Sequence, residues 1–369
     1  MSELTNAQID RRDFRWRLLT TVSAAALLAS VCSTHQARAA DGDSVHAPLW
    51  IELGGQFAQN ENNQEAFLPP FLLTTPRPPF DAASPAALEK GPASSWDGAA
   101  KIIFEPAGTD WVFSVGIRYG TNARNDSRNE KTAHVTTQGL NIFYDAYQNI
   151  TARNTKSHTI VDFQVGKDVG LGLFRSNGSS VFSLGLRYAQ FNSQGSVRIQ
   201  SQPTNVVAPY GYYHLFNASL VARRKFSGVG PSLSWDASAG LIGNPSAGNI
   251  TFDWGLNGAV LFGRQRTGIH HQTSNVQVLF KTGSLYNTHD RPHIPVYQHA
   301  LSPDRSKAST VPNMGGFAGL SWRYPNAKVS IGYRVDMFLG AMDGGIDAAK
   351  KENVGFYGPF ATISVGFGG

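Results

Sequence analysis

One nine-residue stretch constrains the fold of this chain more than any other feature. In Trp111-Val-Phe-Ser-Val-Gly-Ile-Arg-Tyr119, the side chains of Trp111, Phe113, Val115, Ile117 and Tyr119 fall on one face of an extended strand, and Ser114, Gly116 and Arg118 on the other. A period of two is the mark of a β-strand with one apolar face. The design is reused. Val181-Phe-Ser-Leu-Gly-Leu-Arg-Tyr188 repeats it almost letter for letter, Val329-Ser-Ile-Gly-Tyr-Arg334 is a third copy, and Ile363-Ser-Val-Gly-Phe367 is a shorter fourth. The copies return at irregular intervals, which excludes a solenoid, whose units recur at a fixed period.

The face opposite the apolar one carries Ser, Gly and a single Arg, where a soluble sandwich would carry charge into water. A lipid-facing strand of a closed barrel needs that combination, apolar outside and polar inside, over about 9–11 residues. Trp111 and Tyr119 lie eight residues apart, a depth of ~19 Å at about 3.3 Å per residue and a tilt near 45°. Aromatic residues at both ends of an apolar band match the two interfacial girdles, to which we assign Trp111, Tyr119, Tyr188, Trp322 and Tyr324.

Composition agrees. Charged residues make up 16% of the 369-residue chain, against about a quarter in soluble domains, while 41% hydrophobic residues exclude a disordered chain. A mean hydropathy of −0.23 argues against a bundle of transmembrane helices. The single cysteine excludes a disulfide framework.

The first 39 residues read as a cleaved export signal peptide. Arg11, Arg12, Arg15 and Arg17 form a positive region, residues 18–31 a short apolar one, and Ala37-Arg38-Ala39 a small-x-small cleavage pattern. Arg11-Arg12 leaves the twin-arginine route open beside the general one. Cys32, preceded by Val31, lacks the setting of a lipid-attachment box and falls in the discarded segment. The leader holds five arginines against Glu3, Asp10 and Asp13, so it removes +2 of the formal +6 and leaves +4. Apart from Arg223-Arg224-Lys225 no dense basic run remains, and no nucleic-acid motif is present. A short periplasmic segment, 40–47, and a barrel over 48–369 complete the expected organisation.

Connections are expected to alternate. Pro106-Ala-Gly-Thr-Asp110, Arg175-Ser-Asn-Gly-Ser-Ser180 and Pro325-Asn-Ala-Lys328 read as tight turns. The long polar stretches 60–95, 120–156, 192–210 and 283–313 read as outer loops, as in bacterial barrels with short periplasmic turns. The fold expected is a closed antiparallel transmembrane β-barrel of about twelve strands, with ten or fourteen as the other even counts. The strands lie near 48–58, 98–105, 111–119, 158–166, 181–190, 213–224, 230–241, 250–262, 315–324, 329–339 and 355–367, with a weak one near 276–281.

Three runs carry a family resemblance: Phe226-Ser-Gly-Val-Gly-Pro-Ser-Leu-Ser-Trp235, Tyr333-Arg-Val-Asp-Met-Phe-Leu-Gly-Ala-Met-Asp-Gly-Gly345, and the ending Phe356-Tyr-Gly-Pro-Phe-Ala-Thr-Ile-Ser-Val-Gly-Phe367. In these the chain resembles the Legionella-type major outer membrane protein family. The resemblance implies an outer-membrane barrel with porin-like behaviour; the N-terminal leader implies export through the inner membrane, and the barrel-assembly machinery is an expected partner. Phe367 stands where such barrels carry the aromatic of their assembly signal, although Gly368 and Gly369 follow it here.

Alternation also selects the inward residues. Arg118, Arg187 and Arg334 sit at similar heights above periplasmic turns, with Asp162, Glu52 and Asp336 facing the same lumen and Gly116, Gly185, Gly332 and Gly366 leaving room. Either they form a mixed-charge constriction that sets selectivity, or they are paired charges that hold the wall. The function expected is passive diffusion of ions and small hydrophilic solutes through an outer-membrane pore, with no enzymatic activity and no cofactor. The alternative is a non-conducting surface barrel, an adhesin or anchor acting through its outer loops. A barrel hydrolase ranks third: Gly243-Asn-Pro-Ser-Ala-Gly248 lacks the spacing of a nucleophile elbow, and His158 and His214 read as interfacial or solvated. The histidines at 270, 271, 289, 293 and 299 match no fixed ligand spacing, and the apolar run Phe67-Leu-Pro-Pro-Phe-Leu-Leu73 reads as a plug or loop-packing segment. Expected partners are outer-membrane lipid and the solutes, with homo-oligomerisation left open.

Overall fold

Burial follows the alternation, but inside out. Leu184, Leu186, Ile331, Tyr333, Ile363 and Phe367 are exposed, while Ser183, Arg187, Ser330, Asp336, Thr362 and Ser364 are buried. Such a surface is stable only against hydrocarbon, where apolar side chains face lipid and the lumen holds the polar ones.

The structure is a computed structural model and describes residues 47–61, 94–132, 135–137, 140–142, 144–169, 179–206, 212–244, 248–279, 293–345 and 348–368. The leader and the apolar run at 67–73 lie outside them. Among the described residues every regular element is a strand: β1 (Leu49–Glu61), β2 (Ser94–Phe104), β3 (Trp111–Thr132), β4 (Val135–Thr137), β5 (Leu140–Ile142), β6 (Tyr144–Asp168), β7 (Ser179–Val206), β8 (Tyr212–Asn244), β9 (Gly248–Leu279), β10 (His293–Leu301), β11 (Asp304–Tyr324), β12 (Ala327–Asp343) and β13 (Lys351–Phe367). Antiparallel pairing runs β1-β2-β3-β6-β7-β8-β9-β11-β12-β13 and returns to β1, which closes a ten-stranded barrel. Closure removes the free sheet edges that lipid could not satisfy. β4 and β5 form a separate two-stranded hairpin.

β10 is the one extra strand, and its register explains it. Leu301 pairs with His271 and Asp304 with Gly268, so β10 and β11 keep a single register along β9. The break at Ser302-Pro303 falls where proline has no N–H to donate, although its carbonyl still accepts from Ile269 N–H at 3.1 Å. β10 is therefore the outer continuation of β11.

Ten, rather than about twelve, follows from two places where polarity or glycine was read as a strand end. Residues 213–224 and 230–241 are both parts of β8, and residues up to Leu279 belong to β9. The run Ser227-Gly-Val-Gly-Pro231 stays extended because the glycines allow close backbone approach. A Cβ on Gly230 would lie 1.8 Å from the Val260 carbonyl oxygen. Replacing Gly230 by valine should therefore block β8–β9 pairing and sharply reduce the yield of folded barrel, read as loss of the heat-modifiable band on gels. A normal folded yield would show that the strands separate without cost.

The polar stretches 120–156, 192–210 and 283–313 are likewise not simple loops. β3 and β6 pair from Trp111↔Lys167 to Thr132↔Ala146, and β7 runs to Val206. Sequence polarity marks only where lipid ends, since paired strands satisfy their own N–H and C=O groups in water as well. On β9 the exposed apolar positions run from Ile250 to Phe262, a band of ~28 Å at about 3.3 Å per residue and 45° tilt, close to the ~25 Å that lipid requires. β8 and β9, at 33 and 32 residues, are about three times as long as a crossing needs. The turn at 106–110, where Gly108 takes φ +77°, and the turn between β11 and β12 lie at the opposite end, with the start of β1 and the end of β13.

Candidate functional site in the barrel lumen

Strand alternation directs one side chain in two into the lumen, and the lumen is layered. Nearest the tight turns it is polar. Lys328 Nζ lies 2.6 Å from Asp253, which also accepts from Ser321 at 2.6 Å, Ser238 at 2.7 Å and Thr251 at 2.9 Å. Glu52 accepts from Ser364 at 3.1 Å.

The next layer holds the arginines singled out by sequence. Arg118 on β3 reaches almost straight across to Asp336 on β12, four places round the ten-strand ring, and donates to its carboxylate. Arg187 on β7 bonds Asp162 on the adjacent strand through Nε at 2.6 Å, and its Nη1 donates to Asn257 on β9 at 2.7 Å and to Asn313 on β11. Arg334 takes a different role. Its guanidinium lies 4.8 Å from the Phe360 ring centre and 5.9 Å from that of Phe317, within cation–π range, and Gln56 Nε2 donates to its backbone carbonyl at 3.2 Å. Thus Arg118–Asp336 and Arg187–Asp162 are joined, Arg334 rests on aromatic rings, and Glu52 belongs to the layer below.

Beyond the belt the lumen becomes aromatic. Phe191 lies 4.7 Å from Phe338 and 5.9 Å from both Phe226 and Phe356 by ring centres, and Leu261, Val311, Ile160 and Met342 are buried with them. His158 packs against Phe356 with ring centres 4.0 Å apart and places Nε2 3.1 Å from Asp97. Ser95 donates to that same Asp97 at 2.8 Å. A hydrolytic triad needs the serine bonded to the histidine; here serine and histidine both bond the carboxylate instead.

The outer end of β12 folds inward over this cluster. Ala341, Met342 and Asp343 are buried in succession, so the alternation ends, and the β12–β13 register shifts between Phe338 and Met342. Gly340 makes the bend, with φ +65° in the left-handed region that glycine tolerates. Contacts from three successive strands hold the segment. Arg224 of β8 donates to Gly344 O at 3.1 Å, Gln265 of β9 to Gly340 O at 2.6 Å, and Arg305 of β11 to Asp343 at 2.8 Å and Gly345 O at 2.8 Å. Asp343 also accepts from the N–H groups of Gly345 at 3.0 Å and Lys350 at 2.9 Å.

Sequence reasoning did not single out the aromatic cluster or this latch. The available signals were the parity of Phe191 and Phe338, four residues beyond Arg187 and Arg334 and so on the lumen face, and the glycines of Leu339-Gly-Ala-Met-Asp-Gly-Gly345 that end the alternation. The girdle residues Trp111, Trp322, Tyr119 and Tyr324 are exposed on the outer face and Tyr188 is half-buried, as is expected of side chains at a lipid interface. Phe367 is the last residue of β13 and faces outward opposite Leu49. His270 points outward, its Nδ1 2.6 Å from Ser302, while its neighbour His271 is buried. His289 and the side chains of His214, His293 and His299 lie outside the described residues. Among the described residues no group of three metal-ligating side chains occurs.

Comparison with known proteins gives a family match. The model of the family described as Legionella pneumophila major outer membrane protein precursor matches residues 103–367. No curated protein sequence matches significantly. Among solved structures, a bacterial polysaccharide outer membrane secretin aligns over 88% of this chain and 99% of its own, at 9% identity and TM-score 0.19. CdiB from Acinetobacter baumannii aligns over 87% and 60%, at 8% identity and TM-score 0.18. The Ralstonia pickettii toluene transporter TbuX aligns over 88% and 90%, at 11% identity and TM-score 0.17. Likenesses this faint do not bear on function.

Proposed function

The chain belongs to the Legionella pneumophila major outer membrane protein family, and from that premise we propose that it is a pore for ions and small hydrophilic solutes, closed in the conformation described. The observation that carries this reading is how the lumen is filled. Through most of the lipid band the wall is polar, broken by Phe317 and Phe360 beneath Arg334, and the outer closure is made by a bent strand end held through side-chain contacts. A barrel that served only as an anchor could fill its interior with fixed wall side chains and would not need a separate latch. When the latch is displaced, the belt of Arg118, Arg187 and Arg334 with Asp162 and Asp336, and Glu52 in the layer below, sets charge selectivity, because ions passing a narrow lumen exchange hydration for fixed charges. Positive and negative groups are mixed in the belt, so weak rather than absolute selectivity follows.

Single-channel recording of the full-length protein in a planar bilayer tests this. Brief, infrequent conductance steps are expected from the wild type. A folded barrel that stays silent both as wild type and with its latch contacts removed would overturn the pore reading and favour a surface barrel acting through its outer extensions.

A further inference from the structure

The basic run Arg223-Arg224-Lys225 lies outside any role in the lumen, apart from Arg224. Alternation divides it: Arg224 is buried in the interior, while Arg223 and Lys225 are exposed on the outer wall. On the adjoining strand Gln265 and Thr267 are buried, and Arg264 and Arg266 are exposed on that same outer wall. Lys225 stands directly opposite Arg266, Arg223 opposite Gly268 and Arg264 opposite Ser227, so four cations from two strands share one patch. They border an open groove of about 700 Å³, in which Asp304 is the one acidic lining residue. Among the described residues no carboxylate pairs with any of the four.

Two physical facts make this patch informative. Like charges directly opposite on neighbouring strands destabilise a sheet, so Lys225 and Arg266 need a counter-anion to justify their register. The height of the patch names the kind of anion. Below the patch, Phe262 on β9 and Val229 on β8 are the last exposed apolar residues, with Val221 on β8 exposed again beyond it, and Arg264 is the next outward position above Phe262. Arg266, Lys225 and Arg223 follow within two further outward steps. The patch therefore sits at the headgroup level of the leaflet nearer the long strand extensions, which in a bacterial barrel is the outer one. Guanidinium groups bind phosphate through paired, charge-assisted hydrogen bonds.

We propose that Arg223, Lys225, Arg264 and Arg266 form a binding site for the phosphate groups of a phosphorylated outer-leaflet lipid, whose acyl chains lie along the apolar wall below. The site is independent of the lumen and holds whether or not the barrel conducts. The test uses the full-length folded protein in neutral detergent, titrated with bisphosphorylated lipid A, with the same lipid stripped of both phosphates, and with inorganic phosphate. The phosphorylated lipid should bind, and should bind roughly 100-fold more weakly to R223S/K225S/R264S/R266S, with affinity falling as salt is raised. Equal affinity for the stripped lipid, or unchanged affinity in the quadruple variant, would overturn the site. Displacement of the lipid by inorganic phosphate alone would mark a free-anion site and overturn the lipid assignment. If the quadruple variant does not fold, R223S/R266S is read in the same way, with a loss of about tenfold expected.

Discussion

Replacing Asp336 by alanine should cost the folded barrel about 3–5 kcal/mol, because it strands a charge that has been taken out of water. Asp336 is 1% exposed and bonds Arg118, whose own side chain is 16% exposed, across the lumen. Neither charge can recover its hydration when the other is removed. The gain from their attraction roughly offsets the cost of desolvating both, so the double variant R118A/D336A should be clearly more stable than the sum of the two single losses predicts. The measurement is urea unfolding in lipid vesicles, followed by the fluorescence of the tryptophans, for the wild type, both singles and the double. Strict additivity would show that the two groups do not act as a pair. Asp162 supplies the internal comparison. Its side chain is 21% exposed, and Arg187 retains Asn257 and Asn313 without it, so Asp162→Ala should cost distinctly less than Asp336→Ala.

That ranking could not have been drawn from sequence, although the six residues could. Alternation assigns Arg118, Arg187, Arg334, Asp162, Glu52 and Asp336 to the lumen face because a strand has only two faces and lipid claims one of them. It contains no information on which side chains meet across the barrel. Arg118–Asp336 depends on residues 218 apart in the chain being brought together at a particular strand count, and that count is the element least legible. Twelve segments can be drawn because a lipid-facing pattern fades where the strand leaves the membrane, and glycine with proline looks like a turn. In β8 the chain continues through Gly228-Val-Gly-Pro231 because its neighbour's backbone sits where a side chain would be. Tertiary pairing there overrides local turn chemistry. The latch was hidden for a related reason: its buried residues Ala341, Met342 and Asp343 break the very rule by which buried positions were being read.

Cutting the latch should have the largest effect on conduction. Arg305 holds two points of the inward segment, the Asp343 carboxylate and the Gly345 carbonyl, and Arg305→Ala removes both while leaving the pairing of β9 with β11 in place. The expected result is a several-fold rise in open time or mean conductance in a planar bilayer, with the folded band on gels unchanged. Acid should act at the same point. Asp343 lies beyond the lipid band, sixteen residues after the start of β12. Burial pushes its carboxyl pKa up, but hydrogen bonds from Arg305 and from the N–H groups of Lys350 and Gly345 outweigh this and hold it below the ordinary carboxylate range. A carboxyl whose folded pKa is depressed contributes its full stability above the unfolded value, and that contribution is lost as pH falls through the folded one. The latch should therefore stay shut from neutral pH down through the usual carboxylate range and release only in stronger acid. Asp343→Ala should conduct like the released form at neutral pH and show no further acid response from this segment. Conductance in Arg305→Ala equal to that of the wild type, or an acid response that survives in Asp343→Ala, would place the closure in the aromatic cluster of Phe191, Phe226, Phe338 and Phe356 and not in the bent end of β12.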